Sequence, residues 1–494
     1  MIDHSKFPDP VYKETVLAPL FDAVKAHYAD HMGAINRAHL VMLAETQILS
    51  SEQASAIANA LVDIEAQIDV EKQVYTGEHE DYFFLIEAEL RQRLGDLGGS
   101  LHTARSRNDM DHTLFKFALQ SRAEAMMGQL QGLAAALIDK ARQEAKTPIV
   151  AYTHGQPAQP STFGHYLASV IEVLLRDCAR LDAAIVGLDH CPMGAAAITT
   201  SGFPIDRQRV SDLLGFSAPL RNSYGCIASV DYITGLYSAL KLVFLHLGRV
   251  VQDMAFWSSF EVSQLYVPNA LVQISSIMPQ KRNPVPIEHM RHLASISVGR
   301  CDMMVNIMHN TPYTDMNDSE GEVQQAGYAV FESGGRMIAL LGAFLPACSI
   351  NVERVHTNAD SACITITELA DTLVRLEKLS FRQAHEIAAE TAKAVIAENK
   401  PLREGFVSFC RAFETEVGRS SRLGKEAFSQ AVAIETFVAV RDRFGGPAPH
   451  ALVDAFEAYQ GDLARLVANK NARQKRRSTA QENLKKAFSN LLEI

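Results

Sequence analysis

The sequence predicts an all-α fold, and three observations support this prediction. The 494-residue chain contains only 18 prolines and 28 glycines, so helices can run for many residues without a breaker. Aromatic residues account for only 7% of the chain, whereas β-rich folds favour aromatic and β-branched side chains. Apolar residues recur at steps of three and four along most of the chain, which is the period of a helix with one buried face.

Five segments keep this period long enough to predict five long helices. They span residues 111–146, 161–189, 231–267, 286–310 and 323–346. A helix of about 30 residues is ~45 Å long, and such helices are stable mainly when they pack in a bundle. Long bundles often bury further faces by forming oligomers. We therefore expect a central helix bundle, with functional loops at its ends.

Smaller helical regions precede and follow the predicted bundle. A prior of roughly 150 residues per domain gives about three domains for this length. We predict a three-domain subunit with boundaries at residues 1–110, 111–360 and 361–494. Basic residues cluster between Lys470 and Lys486, where we expect a solvated helix face.

Composition and charge exclude several classes of protein. The formal net charge of −10 argues against a general nucleic-acid-binding protein, which would need a basic surface. Seven cysteines without CxxC spacing predict reduced thiols in a cytoplasmic protein. We find no strongly apolar run of ~20 residues, the length that a membrane span requires. The first ten residues lack the pattern of a signal peptide, so we expect no membrane partner.

A polar loop precedes the first long helix, with the sequence GGSLHTARSRND at residues 98–109. Ser106, Arg107 and Asn108 place hydroxyl, guanidinium and amide donors side by side, and such donors suit a carboxylate ligand. The alternative interpretation is an ordinary helix start that is capped by Asp109 or Asp111. Taken alone, the loop favours the capped helix start.

Two further loops combine chemically specific residues with turn formers. The second loop, YTHGQPAQPSTFGHY at residues 152–166, carries Thr153 and His154 in a Gly- and Pro-rich setting. A lone histidine is usually structural, but one in a rigid loop is a candidate acid or base. The third loop, SSIMPQKRNP at residues 275–284, joins two hydroxyls to Lys281 and Arg282. These cations could bind an anion or lower the pKa of a nearby hydroxyl, although an exposed basic turn would have the same composition.

These loops resemble those of a known enzyme family. SSIMPQKRNP resembles the signature loop of the fumarase/aspartase superfamily, whose members eliminate fumarate, and LHTARSRND resembles the LHTGRSRND stretch of argininosuccinate lyases. Further similar stretches lie at residues 153–160, 202–207, 220–223 and 366–388. The resemblance implies an all-helical subunit and a homotetramer, in which the central bundles form a twenty-helix core. It also implies that each active site combines loops from three subunits.

The resemblance implies the reaction and a role for each matching residue. The reaction is a β-elimination that releases fumarate and an amine from an N-substituted aspartate. The implied catalytic residues are Ser275 as the base, His154 with its acidic partner Glu288, and Lys281. The implied substrate-binding residues are Ser106, Arg107, Asn108, Thr153, Arg221, Ser276, Asn283, Tyr313 and Asn317. Whether His154 donates a proton or only binds is left open. We expect no cofactor and no metal, since the chain lacks an HExxH, a P-loop and a Rossmann glycine pattern.

Departures from the family pattern concentrate on the half of the site that would hold the amine. Phe83 stands where the family has His, and Asn36 stands where it has Ser. In the segment after Tyr313, Asn317 replaces Gln and Glu320 replaces Lys. The residues expected to hold the fumarate half are retained.

Three hypotheses for function remain open on the sequence. The first is a carbon–nitrogen lyase with an altered amine, such as an aminopolycarboxylate of the ethylenediamine-disuccinate type. The second is a housekeeping argininosuccinate lyase that yields arginine and fumarate. The third is a non-catalytic structural relative of the crystallin type, which the retained Ser275, Lys281 and His154 argue against.

Overall fold

Helices form almost all of the N-terminal region in the computed structural model, which describes residues 7–493. The α-helices of this region are α1 (Pro10–Tyr12), α2 (Ala18–His27), α3 (Ala29–Glu45), α4 (Ser51–Gln67) and α5 (Tyr82–Leu94). A π-helical turn covers Lys13–Leu17, and 3-10 turns cover Val70–Lys72 and Gly95–His102. The Asp81 carboxylate accepts a hydrogen bond from the Phe84 backbone N–H at 2.9 Å. Asp81 therefore caps the start of α5.

Long helices form the centre of the fold, and the five predicted ones are all present. The helices of this region are α6 (Arg107–Gln143), α7 (Phe163–Leu188), α8 (Arg207–Leu214), α9 (Ser223–Ala228), α10 (Asp231–Trp257), α11 (Val285–Asn306) and α12 (Gly321–Ala347). Short 3-10 turns cover Asn269–Leu271 and Asn317–Ser319. Helix α6 packs against α7 and α12, while α10 packs against α7 and α11. Buried side chains such as Leu130 and Leu240 join one apolar core, so the predicted all-α fold is confirmed.

The starts of two long helices differ from those that the sequence predicted. Helix α6 begins at Arg107 because Ser106 is its N-cap, and the Asp109 carboxylate accepts a hydrogen bond from the Ser106 backbone N–H at 3.0 Å. The prediction of Asp109 or Asp111 as the cap is therefore wrong. Helix α7 is capped by Thr162, whose hydroxyl accepts a hydrogen bond from the His165 backbone N–H at 3.1 Å.

The end of α10 also differs from the prediction, because a side chain holds the following segment elsewhere. The helix stops at Trp257 rather than near residue 267. Gln264 is fully buried, and its side-chain oxygen accepts a hydrogen bond from the Val150 backbone N–H at 2.8 Å. Its amide also donates to the Val150 carbonyl at 3.3 Å. These two hydrogen bonds hold the segment after Trp257 against strand β1 (Pro148–Thr153), so that segment does not continue the helix.

Short strands connect the helices in pairs. They are β1 (Pro148–Thr153) with β2 (Gln156–Thr162), β3 (His190–Cys191) with β4 (Ala218–Pro219), β5 (Leu265–Tyr266) with β8 (Ser349–Ile350), and β6 (Gln273–Ile274) with β7 (Arg282–Asn283). The β3–β4 pair is parallel and the others are antiparallel. The β1–β2 and β6–β7 pairs frame the second and third loops of the sequence analysis.

The C-terminal region contains a second apolar cluster and a helix that returns to the bundle. Its helices are α13 (Val352–Ser361), α14 (Ile366–Glu377), α15 (Phe381–Ala397), α16 (Phe406–Val417), α17 (Lys425–Ala431), α18 (Ile434–Ala439) and α19 (Val453–Leu492), with 3-10 turns at Leu402–Glu404 and Pro449–Leu452. Phe409, Phe413 and Phe428 lie at the centre of the second cluster. Helix α19 packs against α6 and α7. The domain boundaries at residues 110 and 360 stay a prediction.

Basic residues of α19 hold this helix against the bundle. Arg473 is only 6% exposed, and it forms ion pairs with Glu124 at 2.6 Å and Asp182 at 2.8 Å. Arg476 forms a further ion pair with Asp189. The expectation of a solvated basic face is therefore wrong for Arg473, because acidic residues on α6 and α7 enclose it, whereas Arg476 stays partly exposed.

One helical stretch, Asn317–Ala347, is long and apolar enough to cross a membrane by length and composition. In the structure, 56% of its most apolar part is buried, and α12 packs there against α6 and α11. A core helix of a bundle has the same composition as a membrane span, so this stretch is weak evidence for a membrane segment.

Close packing of α7 on α6 depends on Gly164. A Cβ atom at this position would lie 2.5 Å from the Ala141 carbonyl oxygen and 2.6 Å from the Ala145 Cα. Because both are backbone atoms, we expect Gly164→Ala to destabilise the protein by about 1–3 kcal/mol. Gly187 lies in the same helix, and a Cβ added there would have nothing within 4 Å, so Gly187→Ala should leave the Tm unchanged or raise it. Thermal unfolding of both variants checks this, and equal Tm values would contradict it.

Candidate active site

The β1–β2 hairpin presents Thr153 and His154 at its tip. Thr153 pairs with Gln156, so His154 and Gly155 form a two-residue turn. Their φ angles are +53° and +74°, and positive φ at both positions is the pattern of a type I′ hairpin turn. Both Thr153 and His154 are exposed. The hairpin therefore holds the imidazole outward on a short and rigid support.

A short antiparallel pairing closes the serine loop. Gln273 pairs with Asn283 across β6 and β7, which brings the two ends of the loop together. Inside the loop, the Ser275 hydroxyl oxygen accepts hydrogen bonds from the Ile277 N–H at 3.4 Å and the Met278 N–H at 3.1 Å. Backbone N–H groups directed at one oxygen favour negative charge on that oxygen. These are the contacts of a local serine turn, and they place two backbone donors at the Ser275 oxygen.

The two cations of the serine loop have different surroundings. Arg282 donates to the Val267 carbonyl at 2.7 Å and to the Asn269 side-chain oxygen at 2.9 Å, and its guanidinium lies 4.8 Å from the Tyr266 ring centroid. Arg282 therefore supports the base of the loop. Lys281 is exposed, and no ion pair of its side chain occurs within residues 7–493. Of the two cations, Lys281 is the one available to an anionic ligand.

Other predicted residues of this region lie near the start of α11. Glu288 is in the first turn of that helix and is exposed. Ser276 is also exposed, whereas Asn283 is partly buried. Within residues 7–493 of one chain, no hydrogen bond or ion pair joins His154 to Glu288. Their pairing stays a prediction about an assembled enzyme.

The start of α6 holds the first polar loop in a network of fixed contacts. Arg107 forms ion pairs with Glu80 at 2.9 Å and Asp81 at 2.8 Å, and its guanidinium lies 4.9 Å from the Phe84 ring centroid. Ser106 accepts a hydrogen bond from the Asn108 backbone N–H at 3.4 Å as the helix cap. Arg107 is thus positioned by two carboxylates beside the cap.

A buried carboxylate fixes a neighbouring loop against this helix start. The Asp109 carboxylate accepts hydrogen bonds from the backbone N–H groups of Gly194 and Ala196, each at 2.9 Å. Asn108 donates its side-chain amide to the Ala197 carbonyl at 3.3 Å. Asp109 is fully buried, and this burial raises its pKa to about 6. Asp109 therefore positions the loop and does not contact solvent.

Two departures from the family pattern share one buried partner. Asn36 accepts a hydrogen bond from the Arg105 guanidinium at 2.8 Å, and the same guanidinium lies 5.7 Å from the Phe83 ring centroid. Asn36, Phe83 and Arg105 are all buried. These substitutions form a packed unit under the site.

Of the predicted amine-side residues, Tyr313 and Arg221 are exposed. The Tyr313 ring stacks on Tyr224 with centroids 6.1 Å apart and an interplanar angle of 14°. Asn317 begins a 3-10 turn that leads into α12. The turn places Asp315 and Glu320 near the start of α6.

A group of titratable residues that sequence reasoning missed lies at this junction. We call Asp111, His112, Asp315 and Glu320 the carboxylate–histidine cluster. One ligand atom each of His112, Asp315 and Glu320 lies within 4.8 Å of the others. Asp111 follows Arg107 by four residues, so both point to the same face of α6. The four-residue spacing of Arg107 and Asp111 is the one indication of the cluster in the sequence. An acidic residue near a helix start is equally typical of a helix cap.

Burial and mutual repulsion shift the pKa values of this cluster. Burial, with a further contribution from the nearby Asp81, raises the pKa of Asp111 to about 8. Burial and the charges of Asp111 and Asp315 raise the pKa of Glu320 to about 9. Burial and the nearby Lys116 lower the pKa of His112 to about 4. The chain therefore holds the cluster in an environment where excess negative charge is costly.

Comparisons with known proteins agree with this architecture. A family model described as Lyase matches residues 19–299, and one described as Argininosuccinate lyase C-terminal matches residues 363–439. The chain is 59% identical to Argininosuccinate lyase 2 of Agrobacterium fabrum over 98% of this chain and 96% of that protein. It is 32% identical to an argininosuccinate lyase of Halorhodospira halophila over 87% of this chain and 90% of that protein.

A solved structure also matches the fold. The crystal structure of EDDS lyase in complex with formate superimposes with a TM-score of 0.85 at 24% identity, covering 98% of this chain and 96% of that chain. At this identity the match supports the fold alone. The family models and the two sequence relatives identify the chain as a carbon–nitrogen lyase that belongs to the argininosuccinate lyase family of the fumarase/aspartase superfamily.

Proposed function

We propose that the enzyme catalyses the reversible elimination of fumarate from an N-substituted aspartate, and that the amine it releases is not arginine. The observation that supports the altered amine is the carboxylate–histidine cluster. Glu320 takes the place of a family lysine in a segment of the predicted amine side, and it lies beside Asp315 and Asp111. A lysine at this position would attract a negatively charged group of the amine. Three neighbouring carboxyl groups do not attract such a group.

The proposed mechanism begins with removal of a proton from the carbon next to a carboxylate. Ser275 acts as the base, since the N–H groups of Ile277 and Met278 stabilise charge on its oxygen. The electron pair of the broken C–H bond moves onto the neighbouring carboxylate, giving a doubly charged aci-carboxylate. Lys281 and Asn283 bind that species more strongly than the substrate, which lowers the barrier.

The second half of the proposed reaction breaks the C–N bond. The carbon–carbon double bond of fumarate forms as the bonding electrons leave with the nitrogen. His154 supplies the proton that the departing amine needs, directly or through water. Ser106, Arg107, Asn108 and Thr153 hold the succinyl part during both steps.

We also propose that the enzyme is a cytoplasmic homotetramer whose active sites combine three subunits. His154 and Glu288 are both exposed on a single chain and do not meet within residues 7–493. Large apolar side chains of the serine loop are uncovered as well, with Ile274 81% and Ile277 83% exposed. Association would cover these groups and complete the predicted acid–base pair.

Two alternative functions are arginine release and a non-catalytic role. Arginine release is supported by the 59% identity to a protein named Argininosuccinate lyase 2. The two backbone N–H groups at the Ser275 oxygen argue against a non-catalytic role, because a structural protein does not need to stabilise charge on a serine. The altered amine is favoured over arginine by the position of Glu320.

A panel of amines tests the proposal. The purified enzyme is incubated with fumarate and one amine at a time, including arginine, ethylenediamine and aminopolycarboxylates, while fumarate absorbance and adduct mass are followed. We expect an amine other than arginine to give the highest kcat/KM. Adduct formation with arginine alone would contradict the altered amine, and no adduct with any amine would support the non-catalytic role.

A further inference from the structure

A loop beside the start of α6 follows a path that needs support from the rest of the protein. The loop covers residues 193–200, between β3 and α8, and we call it the 193–200 loop. Its φ angles are +84° at Gly194, +51° at Ala196 and +62° at Thr200. Positive φ suits glycine but disfavours alanine and, more strongly, a β-branched residue such as threonine. Contacts with other residues are therefore needed to hold this path.

Asp109 connects the loop to the helix start through both of its carboxylate oxygens. Oδ2 accepts hydrogen bonds from the Gly194 and Ala196 backbone N–H groups, each at 2.9 Å. Oδ1 accepts a hydrogen bond from the Ser106 backbone N–H at 3.0 Å. Asp109 is fully buried, so removing either oxygen would leave buried donors without an acceptor. One carboxylate therefore fixes the loop and the start of α6 relative to each other.

Further contacts hold the loop from its other side and from within. The Arg207 guanidinium donates to the Met193 carbonyl at 3.0 Å, and a Cβ atom on Gly194 would lie 2.5 Å from the Arg207 Cγ. Inside the loop, the Thr200 hydroxyl donates to the Gly194 carbonyl at 2.8 Å. Thr200 is exposed, so this hydrogen bond can be removed without disturbing the core.

The loop in turn orients two residues that are predicted to bind the succinyl part. The Asn108 side-chain amide donates to the Ala197 carbonyl at 3.3 Å, and the Asn108 side-chain oxygen accepts a hydrogen bond from the Ser106 hydroxyl at 3.0 Å. The contact with the loop uses one of the two N–H groups of the amide, and the other can donate to a carboxylate. The position of the loop thus sets the direction of both the amide and the hydroxyl.

The same loop packs against the segment that carries Arg221. Ala195 lies in a buried apolar cluster with Cys226, and Leu220 packs against that cluster. Leu220 directly precedes Arg221, and its backbone N–H donates to the Cys191 carbonyl at 2.9 Å. The loop therefore lies between the residues predicted for the fumarate half of the site and a residue predicted for the amine half.

We infer that Asp109 is a positioning residue for the proposed elimination, and that it acts through the 193–200 loop on Ser106 and Asn108. The inference rests on the proposed function, because it takes these two residues as ligands of the succinyl part. Asp109 is fully buried, so it acts on its neighbours and not on the substrate. Its replacement should weaken fumarate binding, an effect that an acid with a purely structural role would not have.

Fumarate binding tests this inference without knowledge of the amine. Fumarate is titrated calorimetrically into the full-length enzyme at pH 8, where Asp109, with a pKa of about 6, is ionised. Asp109→Asn replaces one carboxylate oxygen with an NH₂ group that cannot accept a hydrogen bond. We expect the dissociation constant of fumarate to rise roughly 10-fold to 100-fold, because buried N–H groups lose their acceptor.

A buried acid in the C-terminal region is the matched control. Glu377 of α14 is 6% exposed, and its carboxylate accepts hydrogen bonds from the Ser421 hydroxyl at 2.7 Å and from the Arg422 backbone N–H. Glu377→Gln should lower the Tm, as Asp109→Asn should, but leave the dissociation constant of fumarate unchanged. The pair separates a loss of stability from a loss of positioning.

Thr200 provides a second variant that leaves the core intact. Thr200→Val keeps the shape of the side chain and removes the hydroxyl, so the dissociation constant of fumarate should rise roughly 3-fold to 10-fold. Thr200→Ser keeps the hydroxyl and should bind fumarate as the wild type does. Thr415→Val is the control, since Thr415 is exposed on α16 and its hydroxyl donates to the Arg411 carbonyl at 2.9 Å.

The results distinguish failure of the inference from failure of the lyase proposal. Wild-type affinity for fumarate in both Asp109→Asn and Thr200→Val would overturn the inference and leave the lyase proposal standing. If Asp109→Asn does not fold, wild-type affinity in Thr200→Val alone overturns it. An equal loss of affinity in Glu377→Gln and Asp109→Asn would also overturn it, because stability would then explain both. No fumarate binding by the wild type would overturn the lyase proposal and, with it, this inference.

Discussion

Replacing Ser275 with alanine should lower the rate of fumarate release roughly 10²-fold to 10⁴-fold, the usual contribution of a positioned general base. The loss should fall on kcat more than on KM, because the serine oxygen acts on the proton that moves in the transition state. The loop itself should persist, since β6 and β7 pair through backbone atoms of Gln273 and Asn283. The measurement is the absorbance of fumarate formed from the adduct found in the amine panel.

A matched serine on the surface controls for the substitution itself. Ser478 is exposed on α19, and its hydroxyl donates to the Gln474 carbonyl of the preceding turn at 3.1 Å. Ser478→Ala should keep the wild-type rate, while both variants should keep the wild-type Tm and oligomeric state. Turnover near the wild-type rate in Ser275→Ala would rule out the serine as base.

Sequence reasoning predicted the long helices because their evidence is local and repeated. Apolar residues at helical spacing mark α6 and α10 over many turns, so a misplaced end does not change the assignment. The ends were harder to predict, because they depend on side chains that bind elsewhere. Gln264 bonds to Val150 in another element, and a periodic pattern cannot show such a contact.

The predicted site residues were found through motifs, but their surroundings depend on tertiary structure. The two N–H groups that face the Ser275 oxygen belong to the second and third residues after it, a local turn that serine often forms, whereas the pairing of β6 with β7 that closes the loop joins residues ten positions apart. The carboxylate–histidine cluster was missed for a related reason. His112 and Glu320 are far apart in sequence and meet only because α12 packs on α6.

The β1–β2 hairpin shows how a site residue can also be constrained by its backbone. His154 has a φ of +53°, a region that glycine and asparagine adopt far more readily than most residues. Histidine at this position costs stability that another residue would avoid.

Replacing His154 with asparagine should separate the function of the imidazole from the turn that holds it. Asparagine before glycine is a preferred pair for a type I′ turn, so the Tm of His154→Asn should equal or exceed that of the wild type. The rate of fumarate release should nevertheless fall roughly 10²-fold to 10⁴-fold if the imidazole supplies the proton to the amine. Fumarate absorbance and thermal unfolding measure the two effects independently. Alanine is the poorer choice, because it would add strain of about 1–2 kcal/mol at positive φ.

The division of the effect between kcat and KM identifies the role of His154. A fall in kcat with little change in KM indicates proton transfer, because that interaction exists only in the transition state. A rise in KM at constant kcat indicates that the imidazole only binds the substrate. His385 is exposed on α15, and His385→Asn should change neither constant. Wild-type kcat and KM in His154→Asn would remove His154 from the mechanism, and the proton of the leaving amine would then have to come from another group or from water.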